Sequence, residues 1–142
     1  MVNKSSRRVS QKGIYRILDV NLNRCREGLR VIEDIYRFEY NRENDYRRIR
    51  SLRHRLNLVF RRMYPQLLIS RQAREDFGQR FKERKRKNIN EILIANFKRV
   101  EESLRVLEEF VRLISKDEGK KLKTIRYALY DMEKRLLKIG LS

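Results

Sequence analysis

Residues 21–37 of this chain read NLNRCREGLRVIEDIYR, and residues 96–112 read NFKRVEESLRVLEEFVR. The two stretches are copies of one pattern, with identical residues at most of the charged positions. The similarity continues downstream, where residues 49–54 (IRSLRH) correspond to residues 122–127 (LKTIRY). Internal repetition of this kind indicates a duplicated structural unit. The sequence therefore predicts two pseudo-repeated helical hairpins.

Each copy has the periodicity of an amphipathic helix. At about 100° per residue, its apolar side chains form an arc roughly 200° wide, which exceeds the stripe of an ordinary surface helix. Glu27 falls on one rim of the first arc, and Glu33 falls beyond the other rim. Both arcs enclose three positions that are not large and apolar, namely Asn21, Arg24 and Gly28 with their counterparts Asn96, Arg99 and Ser103. Buried Asn and Arg need a partner or a ligand, since burying them unpaired is costly.

Two interpretations of these polar residues remain open at this point. In the first, Arg24 pairs with Glu27 or with an acid of the other copy, Asn21 satisfies a helix end, and the polar pairs fix the register of the helices. In the second, the two copies line a cleft and direct Asn and Arg toward an anionic substrate. The small side chains Gly28 and Ser103 leave room beside the arginines, which favours the second interpretation slightly.

The composition indicates one globular domain, residues 1–142, with anionic partners. Hydrophobic residues make up 40% of the chain and charged residues 39%, and the formal net charge is +18. Such a charge suits phosphorylated metabolites, nucleic acid or an acidic surface. Cys25 is the only cysteine, which excludes an intrachain disulfide and fits a reducing compartment. We expect it to pack in the core, and we expect a cytoplasmic protein with no membrane span or signal peptide.

The predicted fold class is all-α, a helical bundle. Its hairpins, residues 15–64 and 90–138, are joined by an irregular connector, residues 65–89. The predicted helices cover residues 15–40, 45–63, 90–115 and 120–138, after a mobile tail at residues 1–12. Pro65 should end the second helix, Asn88 or Asn90 should cap the third, Gly119 should precede the fourth, and Gly140 should close it.

Familiar catalytic signatures are absent from the sequence. It contains no phosphate-binding glycine loop, no dinucleotide fingerprint and no zinc pattern, and His54 is its only histidine. The remaining chemistry is that of Arg, Asn and Glu on helices. Arginine grips phosphate oxygens bidentately, and phosphoryl transfer needs mainly positioning and charge neutralisation. In the connector, Arg71, Asp76 and Gly78 could form a loop over a phosphate, because glycine permits a close backbone approach.

Several motifs together resemble a small helical domain of thiamin biosynthesis. That domain occurs alone or fused ahead of thiamin phosphate synthase, and the family is regarded as a monofunctional hydroxymethylpyrimidine phosphate kinase. The motifs are YRILDVNLNR at residues 15–24, EGLRVIED at 27–34, LRH at 52–54, IANFKR at 94–99, LRVLEE at 104–109, and Arg126-Tyr127 with Tyr130. The resemblance covers about residues 15–136. The connector departs from it, because Gln72 follows Arg71 where family members tend to have Asp, although residues 76–78 (DFG) fit.

The resemblance implies ATP-dependent phosphorylation of 4-amino-5-hydroxymethyl-2-methylpyrimidine phosphate to its diphosphate, with Mg²⁺. The site roles follow from the helical wheel and the charge chemistry. The expected catalytic residues are Arg24, Glu27, Arg99 and Glu102. The expected substrate-binding residues are Asn21, Asn96, Arg53, His54, Arg30 and Arg105. The expected nucleotide-binding residues are Arg71, Asp76 and Gly78. The sequence identifies no metal ligands.

Other functions compete with the kinase. The basic tail and the run at residues 82–87 would suit a nucleic-acid-binding protein, although no recognised binding motif is present. A non-catalytic partner docked on thiamin phosphate synthase is a second alternative, and a chorismate-mutase-like helical enzyme is a third, by analogy of architecture. Because the apolar arcs are wider than four helices would bury, we also expect a homodimer.

Overall fold

Five α-helices account for most of the computed structural model, which describes residues 11–72, 75–80 and 82–140, without the side chains of residues 80 and 137–140. Their bounds are α1 Gln11–Asp34, α2 Glu43–Phe60, α3 Tyr64–Ser70, α4 Ile89–Val111 and α5 Lys116–Gly140. A π-helical turn, Ile35–Glu39, extends α1, and 3₁₀ turns occupy Arg61–Met63 and Phe77–Arg80. These described residues contain no strand, so the all-α prediction is confirmed. Most of the predicted tail lies outside them.

The four long helices form a bundle of two hairpins, α1–α2 and α4–α5. The most extensive contact joins α1 to α4, the first helices of the two repeats. Helices α2 and α5 also touch each other, and α3 packs against α1. Within the part of the chain that the structure describes, no helix combines the length and the apolar character that crossing a membrane would require.

Several predicted boundaries differ from the structure. Helix α1 begins at Gln11 rather than near residue 15, so the last two residues of the predicted tail, 11 and 12, are helical. Pro65 lies in the first turn of α3, where a missing amide hydrogen costs nothing, so the connector begins as a helix. Helix α4 ends at Val111 rather than near residue 115. Gly119 lies inside α5 instead of before it, and the Ser115 hydroxyl accepts a hydrogen bond from the Glu118 amide (3.3 Å) in the first turn. The predicted cap of α4 is confirmed at Asn88, whose side chain accepts from the Glu91 amide at 2.9 Å.

The core lies along the α1–α4 contact and between each hairpin's two helices. Its most buried members on the first helices are Leu18, Cys25, Leu29 and Ile32 of α1 and Leu93, Phe97, Val100, Leu104 and Leu107 of α4, and the other helices add equally buried side chains such as Ile49, Leu56, Leu67, Leu122 and Leu129. The predicted core position of Cys25 is confirmed. Burial raises the pKa of its thiol to about 12, which leaves essentially no thiolate to act as a nucleophile.

Helices α1 and α4 approach most closely at Gly28. A Cβ atom on Gly28 would lie 2.6 Å from Cγ2 of Val100 and 3.4 Å from the carbonyl oxygen of Asn96. The equivalent pair with the repeats exchanged is Ser103, which corresponds to Gly28, and Cys25, which corresponds to Val100. Ser103 lies close enough to Cys25 to form a hydrogen bond with it. Small residues at such a crossing allow the helices to pack at short range. The two repeats therefore contact each other through their first helices, α1 and α4.

Each hairpin is also held together by one buried glutamate. Glu108 of α4 has no exposed surface and accepts hydrogen bonds from Nε of Arg126 (2.6 Å) and from Nη2 of Arg112 (2.8 Å). Its counterpart Glu33 of α1 is equally buried and accepts a hydrogen bond from Nε of Arg53 on α2 at 2.9 Å. The wheel placed Glu33 outside the apolar arc, and that expectation was wrong, because α2 covers this side of α1.

Burial by itself would raise the pKa of Glu108. The hydrogen bond and charge of Arg126, together with the charges of Arg105 and Arg112, outweigh burial and hold the pKa below its ordinary value. A buried carboxylate that is fully paired in this way fixes the second helix of the hairpin against the first.

Gly28→Val should destabilise the protein, because the added atoms collide with Val100 at the helix crossing. We expect a loss of about 2 kcal/mol in the free energy of unfolding, typical of overpacking a core, measured by urea denaturation. The penalty should shrink when Gly28→Val is introduced into a Val100→Ala background, where space has been made. An equal penalty in both backgrounds would show that Val100 does not set the approach distance.

Arg126→Gln should lower the free energy of unfolding by about 3 kcal/mol at pH 7, because it removes the closest partner of the buried Glu108 carboxylate. Arg112→Gln, which removes a half-exposed partner of the same glutamate, should cost clearly less. The folded pKa of Glu108 lies below its unfolded value, so the stability it contributes is present above about pH 4.3 and is lost as the pH falls through the folded pKa. The difference in free energy of unfolding between wild type and Arg126→Gln, measured by urea denaturation, should therefore be smaller at pH 3 than at pH 7. A constant difference from pH 3 to pH 7 would contradict this account.

Candidate functional site

A cleft of about 750 Å³ opens along one edge of the α1–α4 contact, and we call it the central cleft. Both repeats contribute to it. Its lining residues are Asn21, Arg24, Glu27, Glu83, Ala95, Lys98, Arg99, Glu102, Ser103 and Val106. The structure thus brings together all four residues that the sequence assigned to catalysis.

The two arginines of this group stand on either side of the helix crossing. Arg24 is exposed rather than enclosed in the apolar interface, and it forms no hydrogen bond or ion pair within the described part of the chain. Arg99 is also exposed and lies 3.7 Å from the carboxylate of Glu83, a solvent-exposed pair of little strength. Neither arginine pairs with Glu27 or Glu102, so both remain available to an anion in the cleft.

The paired asparagines are anchored to their own helices. Nδ2 of Asn21 donates to the carbonyl oxygen of Ile17 (2.9 Å), and Nδ2 of Asn96 donates to that of Ile92 (2.7 Å). Each bond uses one of the two N–H donors of the side-chain amide and leaves the side-chain oxygen as an acceptor. The first interpretation was therefore wrong in its details, because Asn21 bonds a carbonyl in the interior of α1 rather than a helix end, and Arg24 pairs with no acid among the described residues.

A second cleft, of about 440 Å³, lies on the α2 side of α1 and is lined by Asn23, Arg26, Glu27, Arg30 and Arg53. We call it the basic cleft. Arg53 and Arg30 both reach it while donating to the buried carboxylate of Glu33, at 2.9 and 3.2 Å. Arg26 forms no hydrogen bond or ion pair among the described residues.

The connector forms a third cleft, of about 240 Å³, against the other side of α1. We call it the connector cleft; its lining residues are Arg16, Asp19, Val20, Asn23, Arg24, Glu27, Arg71, Gln72 and Asp76. Arg71 clamps the connector to α1, because its Nε and Nη2 donate to the two carboxylate oxygens of Asp19 at 2.8 and 2.9 Å. Asp76 accepts a hydrogen bond from the exposed amide of Gly78 at 2.9 Å.

Four predicted site residues line none of these clefts, namely Asn96, Gly78, His54 and Arg105. His54 is exposed on α2, and it does not border any of the three. Arg105 is held by Glu109 (2.8 Å) and lies 3.5 Å from Glu108. Their substrate-binding roles stay predictions without a neighbouring cleft to support them.

Two features near the site were missed from the sequence. Asp19 is buried, with 4% of its surface exposed, but its partner Arg71 is far away in the chain, so no local pattern connects them. Glu101 lies beside Glu133 of α5, and burial, together with the hydrogen bond and charge of Glu133, raises its pKa to about 8. Glu101 is therefore mostly protonated at neutral pH and does not add a full negative charge next to Lys98.

The described residues contain no group of three or more His, Cys, Asp or Glu side chains arranged to hold a metal ion. Mg²⁺ is commonly bound by one or two carboxylates and completed by substrate phosphates and water. Glu27 and Glu102 border the same cleft from opposite repeats, so the donor set fits that kind of site.

Comparison with known proteins connects this geometry to a family. Residues 16–135 match the model of the ThiD2 family. Similar curated proteins are named thiamine-phosphate synthase. The one from Nostoc punctiforme is 40% identical over 130 residues, which are 89% of this chain and 36% of the relative. The one from Prochlorococcus marinus is 39% identical over 140 residues, which are 96% of this chain and 39% of the relative.

The chain thus spans little more than a third of the length of these relatives. No solved structure matches it. The matches support the predicted resemblance at the level of a thiamin-biosynthesis family. Because the family model covers residues 16–135, and with them nearly all of the described bundle, the chain belongs to the ThiD2 family.

Proposed function

We propose that the protein is an ATP-dependent phosphotransferase that converts 4-amino-5-hydroxymethyl-2-methylpyrimidine phosphate to its diphosphate. The observation that carries this proposal is the central cleft, where Arg24 and Glu27 of one repeat face Arg99 and Glu102 of the other. Family membership supports a role in thiamin biosynthesis. The motif resemblance, rather than the names of the relatives, points to the kinase step.

The proposed reaction makes modest demands on the protein. The γ-phosphorus of ATP loses its bond to the β,γ-bridging oxygen and gains one to an oxygen of the acceptor's phosphate. That phosphate, with a second pKa near 6, is mostly dianionic at neutral pH, so the nucleophile needs no general base. The protein has to bring two strongly negative groups together, and arginines that are free of internal partners serve that purpose.

Within this proposal, Arg24 and Arg99 bind the acceptor's phosphate from the two sides of the central cleft. Asn21 offers its side-chain oxygen to donor groups of the pyrimidine. Glu27 and Glu102 would hold Mg²⁺, which would supply further neutralisation of phosphate charge when bound.

A docking role is the second candidate, because the chain corresponds to only about a third of each relative named thiamine-phosphate synthase. Large apolar side chains are exposed on α3 and just after it, including Ile69 (83% exposed) and Phe77 (74% exposed). Such side chains suit contact with a partner such as thiamin phosphate synthase or with a second copy of the chain. Both partners remain predictions.

The decisive assay offers ATP, Mg²⁺ and either the pyrimidine monophosphate or the unphosphorylated pyrimidine. We expect diphosphate from the monophosphate alone. Arg24→Gln and Arg99→Gln should each lower kcat/KM by about 100-fold or more, as expected for arginines that neutralise transferring phosphates. Arg47→Gln is the matched control, since Arg47 is an exposed arginine paired on the surface with Glu43, and its activity should equal that of wild type.

Absence of turnover with both acceptors, in folded protein with Mg²⁺ present, would overturn the kinase. Tight co-purification with thiamin phosphate synthase in that case would favour the docking role. Full activity of Arg24→Gln and Arg99→Gln would retain the kinase but remove these residues from its site.

A further inference from the structure

The three clefts around α1 differ in charge balance. The central cleft is lined by three cationic and three carboxylate side chains, and so is the connector cleft. The basic cleft is lined by the three arginines Arg26, Arg30 and Arg53 and by one carboxylate, Glu27. Among these clefts it therefore offers the strongest attraction to a polyanion.

Two arginines of the basic cleft, Arg30 and Arg53, are held in place and still have N–H donors for a ligand. Arg53 and Arg30 each donate one described hydrogen bond to Glu33, from Nε and from Nη1 respectively. A guanidinium has five N–H donors, so several remain on each. The side chain of Arg53 is only 15% exposed, which means that its orientation is fixed before any ligand arrives. Pre-positioned donors of this kind lose little conformational entropy on binding.

The second repeat does not reproduce this cleft. The sequence position that corresponds to Arg26 is occupied by Glu101, which lies beside Glu133 rather than in an arginine cluster. The counterpart of Arg53 is Arg126, which donates two hydrogen bonds to Glu108 and lies within 3.5 Å of the hydroxyl of Tyr130. Among the described residues, the duplication therefore supplies two similar scaffolds, and the cluster of three arginines that includes the unpaired Arg26 belongs to the first repeat.

Glu27 joins the clefts to each other. It lines all three, whereas its repeat counterpart Glu102 lines only the central one of the three. A ligand in the basic cleft and a ligand in the central cleft would meet at Glu27.

We infer that the phosphate chain of a nucleoside triphosphate binds in the basic cleft, and that the protein has a single reaction centre at Glu27, between this cleft and the acceptor in the central cleft. This inference rests on the proposed phosphotransferase function. It moves the nucleotide from Arg71, Asp76 and Gly78 to Arg26, Arg30 and Arg53. The transferred phosphoryl group leaves the bridging oxygen of the donor in the basic cleft and bonds to a phosphate oxygen of the acceptor in the central cleft. Net charge is conserved, and no proton is required.

The connector cleft is a poorer site for the triphosphate. It is the smallest of the three, and Arg71 is already engaged by both oxygens of the Asp19 carboxylate. A triphosphate that drew Arg71 away from Asp19 would leave a buried carboxylate without its partner, and an unpaired buried charge costs several kcal/mol of free energy.

Binding can be tested without turnover. Wild type and variants are titrated by calorimetry with inorganic tripolyphosphate and with a non-hydrolysable ATP analogue. Arg26→Gln and Arg30→Gln should each weaken both ligands by about tenfold or more, the usual effect of losing a charge-assisted hydrogen bond. Arg26→Gln carries no structural penalty from a lost ion pair, so it keeps the test valid if Arg30→Gln fails to fold.

Arg112→Gln is the matched control for Arg30→Gln. Both arginines are about half exposed and bind a fully buried glutamate, but Arg112 belongs to the second repeat. The affinity of the Arg112→Gln variant for both ligands should stay within about twofold of that of wild type. Unchanged affinity in Arg26→Gln, no binding by wild type, or a loss confined to Arg71→Gln would each overturn the inference. A different outcome is that wild type binds tripolyphosphate, Arg26→Gln does not, and the kinase assay shows no turnover. That result would overturn the reaction centre and the proposed function, but the anion site in the basic cleft would stand.

Discussion

The close packing of α1 against α4 is the constraint on which the rest of this structure depends. Gly28 allows it, because any side chain there would meet Val100 and the backbone of Asn96. The short distance makes the α1–α4 contact the most extensive one in the bundle, and α2 and α5 pack against these helices and against each other. It also brings Arg24 and Arg99, which are far apart in the chain, to the two sides of one cleft. The functional site is therefore a consequence of how the duplicated unit packs on itself.

The buried glutamates connect stability to the site. Glu33 and Glu108 occupy equivalent positions, and each draws an arginine of the following helix into the hairpin interior. Removing a carboxylate and an arginine from water is expensive, so such pairs add little net stability while strongly favouring one arrangement. In the first repeat that arrangement leaves part of Arg53 and Arg30 facing a cleft. The same contacts that fix the hairpin thus pre-position cations for a ligand.

The large positive charge of the chain does not by itself locate an anion site. Two of the three clefts have balanced numbers of cationic and acidic side chains, and many other arginines form surface pairs within one helix, such as Arg47 with Glu43. What distinguishes the basic cleft is a local excess of arginine with donors to spare. The two repeats have diverged at this position, because Arg26 of the first repeat corresponds in sequence to Glu101 of the second. One copy carries a cationic surface, and the other carries Glu101, whose pKa is raised by burial and by the neighbouring Glu133.

The sequence by itself determined the features that depend on neighbours within a few residues. The repeat, the four long helices, a cap at Asn88 or Asn90 and most of the apolar core follow from helical periodicity and local capping, which act over one or two turns. The wheel also selected Arg24, Glu27, Arg99 and Glu102, since equivalent positions on two crossing helices meet. Only the tertiary structure decided the burial of Glu33 and Asp19, the clamp of the connector by Arg71, and the difference between the two repeats. Each of these depends on which distant segment covers a given side of a helix, and the energy of a charged side chain is set by that covering segment rather than by its own place on the wheel.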